Sequence, residues 1–408
     1  MSYSNPNLQF TREKRFTTIT DESEDPKILA KKDQEPLIIS GQGVLVFKMS
    51  VPVTSESETT LTFLSTSNIG ERLSVKLTQH SISLHRNEEK LTESTTTGLS
   101  SHERAFYWLS LDAQKQQILF GIGEARMETL SFSYSFGSSH ETKKYLESLS
   151  SFIYNSEHLL MLRILRDPIL EAVPLIVKNT DTLTMDDIAL SSFMPRANLS
   201  SIGRQLYDNI SGKNFVLDTP DFPDFSSAIE HSIATEGCWC HTKLKEKAGE
   251  FGGHNEKMVY LRITLGKNGG ESPGVPYVME IWPPGCFSPI HNHAGANAVI
   301  RVLHGQINVT LFPYLDHVEP FGNQIFSVGD VTWISPTLNQ FHQLKNPNEN
   351  GPTCITIQCY MYDENDTGHY DYFDYIDDTD EIGHYEPDAD LDFIDFKKIM
   401  KEEWNQRN

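Results

Sequence analysis

In the stretch "SPIHNHAGANAVIRVLHG", residues 288–305, His291 and His293 stand two places apart. Alternate residues of a strand share a face, so both imidazoles would point the same way and could grip one ion. The preceding "PPG" would turn the chain into that strand, and Gly295 and Ala296 leave room beside it. A third ring is on offer in "VGDVTWISPTLNQFHQLKNP", where His342 follows a turn carrying Pro336 and Asn339. Two strands of a small barrel or sandwich would bring His342 beside the first pair. Three neutral imidazoles with no acidic neighbour make a site for a divalent transition metal.

The pattern G-x5-H-x-H-x4-A-x6-G, from Gly285 to Gly305, resembles the first motif of the cupin superfamily. Gly329, Pro336, His342 and Asn346 echo the second motif. Ala298 stands where many metal cupins place a glutamate ligand. A cupin without that glutamate is similar to the thiol dioxygenases, and to the cysteine dioxygenase family above all, over roughly residues 215–362. The resemblance implies Fe(II) held by His291, His293 and His342. It implies addition of O2 to the sulfur of a small thiol, cysteine foremost, to give a sulfinic acid. "VYLRITL" resembles the strand whose tyrosine and arginine face the site, which implies Tyr260 there and Arg262 as a clamp on the substrate carboxylate through its planar fork. "TIQCYMY" resembles the strand ending in the catalytic tyrosine, which implies that Tyr360 donates a hydrogen bond to oxygen or orients substrate. The sequence departs from the family at three points. Ala298 removes the cysteine that some members join to the tyrosine, Gln358 replaces a histidine, and "MYD" replaces a proline-bearing turn.

These residues need a mainly β chain to position them. The expected architecture is a C-terminal cupin β-barrel, or jelly roll, preceded by helices, plus an N-terminal antiparallel β-sandwich. Residues 1–36 read as a loose polar arm. Residues 37–180 read as short strands separated by Gly, Ser, Thr and Asn clusters, which fits the sandwich. "GIG", residues 121–123, lacks the rest of a nucleotide-binding glycine motif. Residues 181–362 hold the helical lead-in, including "LSSIGRQLYDNIS" and "DFSSAIEHSIATEG", and then the barrel. Asp224 and Gly237 suit the caps of the second helix. Residues 363–408 read as an acidic Asp/Tyr-rich tail. Within it Asp363, Asn365, Thr367, Gly368 and Asp374 loosely follow calcium-loop spacing, a weaker reading than a solvated acidic segment.

The chain has 408 residues, 38% of them hydrophobic, and a formal net charge of −22. That field repels phosphate backbones and anionic lipid, so neither nucleic acid nor a membrane is an expected partner. Five cysteines and no apolar leader point to a reducing cytoplasm. Cys286, and "CWCH" at 238–241, read as structural. The expected partners are a small thiol and O2, with the N-terminal domain left for an unidentified ligand or protein. Two rival functions stand beside the dioxygenase: another metal cupin enzyme, a lyase or isomerase, and a non-catalytic cupin binding protein.

Overall fold

A computed structural model describes residues 16–20, 34–50, 58–67, 70–102, 104–156, 158–169, 173–265, 277–362 and 372–407. The chain divides into two compact units, Met1–Ala172 and Val173–Asn408. The division falls eight residues before the boundary expected at 180. No helix among the described residues is long and apolar enough to cross a membrane.

The N-terminal unit contains two six-stranded antiparallel sheets. Alternating apolar side chains bury Phe47, Tyr107 and Phe120 as a stacked column, with ring centroids 5.5 and 6.1 Å apart. "GIG" has a packing explanation. A Cβ on Gly121 would lie 2.3 Å from the Trp108 ring, so only glycine lets that buried indole lie flat on the strand. The arm expected over residues 1–36 is corrected in two places. Phe16–Thr20 pairs antiparallel with Met161–Leu165, and Glu35–Pro36 pairs with Ser151–Phe152. "FTTIT" is short but rich in β-forming side chains, and it satisfies the open hydrogen bonds of a sheet edge.

The C-terminal unit holds two further six-stranded sheets. One runs in the order Val331–Ile334, Asn297–His304, Cys354–Met361, Tyr277–Trp282, Leu261–Thr264, Leu391–Asp392. The other runs Gly322–Ser327, Gln306–Leu311, His342–Lys345, Ile290–His291, Phe373–Ile376, Ile382–Tyr385. Their inner faces pack together through Trp282, Val302 and Cys354 on one side and Ile307, Val309 and Leu344 on the other. Period-two alternation sends Leu261, Ile263, Met279, Ile281 and Ile355 to the outer face of the first sheet. There they meet Phe225 and Ile229 of helix Phe225–Ala234, and Phe396 and Met400 of helix Phe393–Gln406. Leu206 and Ile210 of helix Ser201–Ile210 cover the rest of that face at Val299, Trp333 and Ile357. Ser200 Oγ caps this last helix by accepting from Gly203 N at 2.9 Å. Asp224 precedes its helix without capping it, and its carboxylate accepts from Trp404 Nε1 at 3.3 Å instead.

The acidic tail is likewise corrected. Phe373–Ile376 pairs with Ile290–His291, and Leu391–Asp392 pairs in parallel with Ile263–Thr264. In the first of these strands Phe373 and Tyr375 are buried and Asp374 between them is not, so the aspartates conceal an ordinary alternating strand. Asp390 accepts from Arg262 N at 2.7 Å and from the buried Lys247 ammonium at 3.1 Å. Of the calcium-like positions, Asp363, Asn365, Thr367 and Gly368 lie outside the described residues. Asp374 bonds His384 Nδ1 at 2.8 Å and Asn292 Nδ2 at 3.2 Å.

The terminal helix is therefore part of the core. Phe396→Ala is expected to lower the unfolding free energy by about 3–5 kcal/mol in urea titration, as a buried phenyl truncation does, while exposed Asp395→Asn changes it by less than about 0.5 kcal/mol. Equal, negligible effects would mean that the helix is undocked.

Candidate metal centre

The chain enters the site through a tight turn. Cys286 N donates to Pro283 O at 3.0 Å, with Pro284 and Gly285 at the central positions and Gly285 at φ +73°. Pro then Gly is the pairing a type II turn requires. Ser288 locks the register beyond it, because its N donates to Leu344 O at 2.9 Å and its Oγ accepts from Leu344 N at 3.0 Å. His291 then lies directly opposite His342 in an antiparallel pair. Opposed residues project to the same face, so this register alone brings two rings together.

His293 lies just past the strand, which ends at His291. Ala294 and Gly295 both have positive φ, +50° and +76°, and Ala296 N returns to His293 O at 2.9 Å. The shape of that tight turn, rather than strand alternation, aims His293 inward. Gln340 clamps the turn. Its Oε1 accepts from Gly295 N at 3.2 Å and its Nε2 donates to Ala296 O at 3.0 Å. Gln340 has no titratable group and no motif, so nothing in the residue pattern singles it out.

The three rings converge. Their centroids are 4.6 to 5.0 Å apart, and one ligand nitrogen from each lies within 4.8 Å of the others. His291 Nδ1 donates to Pro289 O at 3.1 Å, and His342 Nδ1 donates to Asn339 O at 2.9 Å. A carbonyl only accepts, so both rings carry their proton on Nδ1 and turn a bare Nε2 inward. His293 Nε2 is 3.2 Å from His342 Nε2. Nitrogens each bonded to one ion at metal–imidazole length sit roughly 2.8–3.4 Å apart, depending on the angle. The buried Nδ1 of His293 has no hydrogen-bond partner. Burial pushes His291 down to about 4 and His342 down to about 3, and holds His293 well below its ordinary value. All three rings are therefore neutral at pH 7, as coordination needs. No carboxylate joins the cluster among the described residues. Ala298, at the position of the usual glutamate, packs with Ile300, Ile334 and Tyr360.

Other predicted site residues divide. Tyr360 is buried and lies nearly parallel to the His293 ring at 5.3 Å, and Phe373 closes on the same ring at 4.6 Å. Tyr260 is packed between Trp282 at 4.2 Å and Phe251 at 6.0 Å, so it belongs to the aromatic core rather than beside the rings. Arg262 faces the interior and is buried, but it is not a free clamp. Its Nη1 pairs with Glu280 Oε1 at 3.1 Å, and Glu280 sits directly across the strand pair. Burial opposes the Arg262 charge most strongly, but the Glu280 carboxylate together with Tyr385, Tyr360 and Tyr260 raises the pKa on balance. Arg262 Nε is buried without a partner. Burial pushes Glu280 up to about 7, against the pull of Arg262 and the Gln358 amide.

Glu280, buried and paired with Arg262, is a second residue of this region, after Gln340, that sequence reasoning missed. Cys286 packs with Ala248 and Val259, its thiol pushed up to about 11 by burial, and Cys240 is buried against Met400. Both behave as the small hydrophobes expected of them.

No protein-family model matches the chain. Several solved structures resemble part of it. The cupin domain of Cnp3 from Schizosaccharomyces pombe is 15% identical over 26% of this chain and 65% of that domain, with a TM-score of 0.21. A sugar phosphate isomerase from a cupin superfamily, from Silicibacter pomeroyi, is 15% identical over 36% of this chain and 83% of that one, with a TM-score of 0.22. An oxalate oxidase in complex with glycolate is 15% identical over 25% of this chain and 49% of that one, with a TM-score of 0.20. The chain spans less than two thirds of the first and third of these. At such scores the likeness assigns no activity, which has to be argued from the site itself.

The histidine shifts set a pH dependence for the metal-free protein. Each ring's pKa is depressed by folding, so its stabilisation is full above about 6.5 and is lost as pH falls through the depressed folded values. Glu280, raised by folding, acts in the opposite sense between about 7 and 4.5. Three rings outweigh one carboxyl. Stability in urea titration is expected to fall by roughly 2 kcal/mol between about pH 7.5 and 5.5, at about 1.4 kcal/mol per pKa unit. The fall should shrink in a His293→Gln, His342→Gln double variant. A rise with acid in the unaltered protein would mean that the rings are solvated or charged.

Proposed function

We propose that the C-terminal unit is an Fe(II)-dependent thiol dioxygenase, adding both atoms of O2 to the sulfur of a small thiol such as cysteine to give a sulfinic acid. The observation that carries this reading is the donor set. Three neutral imidazoles, His293 and His342 buried and His291 half-buried, converge with no carboxylate among the described residues, beside a buried guanidinium with an unpartnered Nε. Ferrous iron in such a set would supply one centre for both a thiolate sulfur and O2, and the thiolate would offset the charge that no protein carboxylate balances.

The chain's own residues would do the rest. Pro289 O and Asn339 O hold the tautomers of His291 and His342. Tyr360 and Phe373 cover His293 and exclude water from that side. Arg262 would receive a substrate carboxylate on its Nε edge, because Nη1 is already engaged by Glu280. A carboxylate there gives the orphaned N–H a partner, which a buried donor strongly favours. The reading thus keeps the expected clamp but assigns it to one edge of the guanidinium.

A lyase or isomerase is the second reading, and Glu280 is the observation in its favour. A buried carboxyl pushed up to about 7 is poised for proton transfer. Both its oxygens are engaged, one by Arg262 and one by Gln358, which leaves it poorly placed as a base.

Oxygen uptake by the Fe(II)-loaded protein on addition of cysteine, cysteamine or 3-mercaptopropionate separates the two, and uptake with none of them contradicts the proposal. His293→Ala is expected to abolish both iron content and thiol oxidation, and iron retained at the unaltered level would reject the ligand assignment. Arg262→Lys keeps a charge for Glu280 but removes the fork. It is expected to raise KM for carboxylate-bearing thiols about tenfold or more and to leave that for cysteamine within about threefold. Equal effects would remove Arg262 from the substrate site.

A further inference from the structure

Between His291 and His293 stands Asn292, and both polar atoms of its side chain are engaged. Its Oδ1 accepts from Ala294 N at 3.1 Å, which closes an Asx turn over a residue that holds φ +50° without being glycine. The same oxygen accepts from Asp374 N at 3.2 Å. Its Nδ2 donates to Asp374 Oδ2 at 3.2 Å, and its backbone N donates to Asp374 O at 2.9 Å. Asp374 is fixed in turn. Its Oδ1 accepts at 2.8 Å from Nδ1 of His384, its cross-strand partner in the hairpin of Phe373–Ile376 and Ile382–Tyr385. Phe373 and Tyr375 lie on the opposite face of that strand, Phe373 against the His293 ring and Tyr375 paired with His291 in the ladder.

We propose that Asn292 is a positioning residue for the metal centre, and that Asp374 of the C-terminal hairpin sets the metal affinity through it. The ladder that pairs His291 with His342 stops at His291. The placement of His293 relative to His291 therefore depends on the backbone of residue 292. A swing of that backbone moves one imidazole against the other, and three ligand nitrogens within 4.8 Å of one another leave little slack. Gln340 holds the far end of the ligand turn, at Gly295 and Ala296. Asn292 holds the near end and ties it to a residue 82 places further along the chain. Contacts that orient metal ligands from behind are typically worth about 10–100-fold in metal affinity. Asp374 thus has a use that its calcium-like spacing conceals: its carboxylate holds the histidine loop rather than a cation. The proposal rests on the metal-ligand part of the dioxygenase reading and not on its thiol chemistry.

The test is calorimetric titration of the metal-free full chain with Co(II), an ion that imidazole donors accept, beside urea titration of the same variants. Asn292→Ala is expected to raise the Co(II) Kd by about tenfold or more. Asp374→Ala keeps the two backbone bonds to Asn292 and should raise it by about threefold or more. Asp374→Asn retains an oxygen for Asn292 Nδ2 and should stay within about twofold of the unaltered protein. The Asn292→Ala, Asp374→Ala double variant should bind within about twofold of Asn292→Ala alone, because the carboxylate acts only through Asn292. Where Asn292→Ala fails to fold, the contrast between Asp374→Ala and Asp374→Asn carries the test. A merely structural role would lower the urea midpoint and leave the Kd of the folded variants unchanged, which overturns the proposal. Effects that multiply in the double variant overturn the route through Asn292. No Co(II) binding by the unaltered protein, or a Kd unchanged in His293→Ala, overturns the ligand assignment and the proposal together. Tight Co(II) binding with the expected variant pattern, but no thiol-dependent oxygen uptake by the Fe(II) form, would reject the dioxygenase reading alone and leave the role of Asn292 intact.

Discussion

The site depends on one pairing: His291 directly across an antiparallel ladder from His342. Because side chains alternate with period two, a slip of one residue would send one of the two rings to the opposite face. The flanking contacts resist that slip. Ser288 bonds Leu344 twice through its backbone and hydroxyl, and Asn346 Nδ2 donates to Trp282 O at 3.0 Å. Tyr375 lies on the far side of His291, contributed by the strand near the C-terminus. A histidine cluster at residues 291–342 is thus held in part by residues beyond 370.

Electrostatics then decides what the pocket tolerates. Burial keeps the three rings neutral, and the neighbouring positive charge of Arg262 further discourages protonation of His291 and His293. Arg262 is itself buried and needs a counter-charge, which Glu280 supplies. Breaking a buried pair of this kind by removing one partner costs roughly 3–5 kcal/mol, far more than an exposed pair contributes. The pair therefore fixes geometry more than it adds stability. It pins one edge of the guanidinium and leaves the Nε edge without a partner.

Much of this was legible in the sequence, for local reasons. The spacing of His291 and His293, the glycines around them and the turn before His342 are short-range features of a motif. Alternation along "VYLRITL" puts Leu261 and Ile263 on the face opposite Arg262, and that face of the strand is coated by helices. Glu280 was hidden by its setting. A single acid in "YVMEIW" reads as a solvent-facing position, and only cross-strand register shows that it opposes Arg262. Charge misled at both ends of the chain. The aspartates around Phe373 and Tyr375 masked a strand, and the polar run before residue 36 masked two sheet-edge segments, because composition averages over the period-two signal that decides burial.

The most direct measurement is anomalous diffraction at the iron edge from crystals of the Fe(II)-loaded protein. The account predicts one anomalous peak within bonding distance of nitrogens from His291, His293 and His342, with no Asp or Glu oxygen in contact. A peak elsewhere, or one ligated by a protein carboxylate such as Glu280, would contradict it.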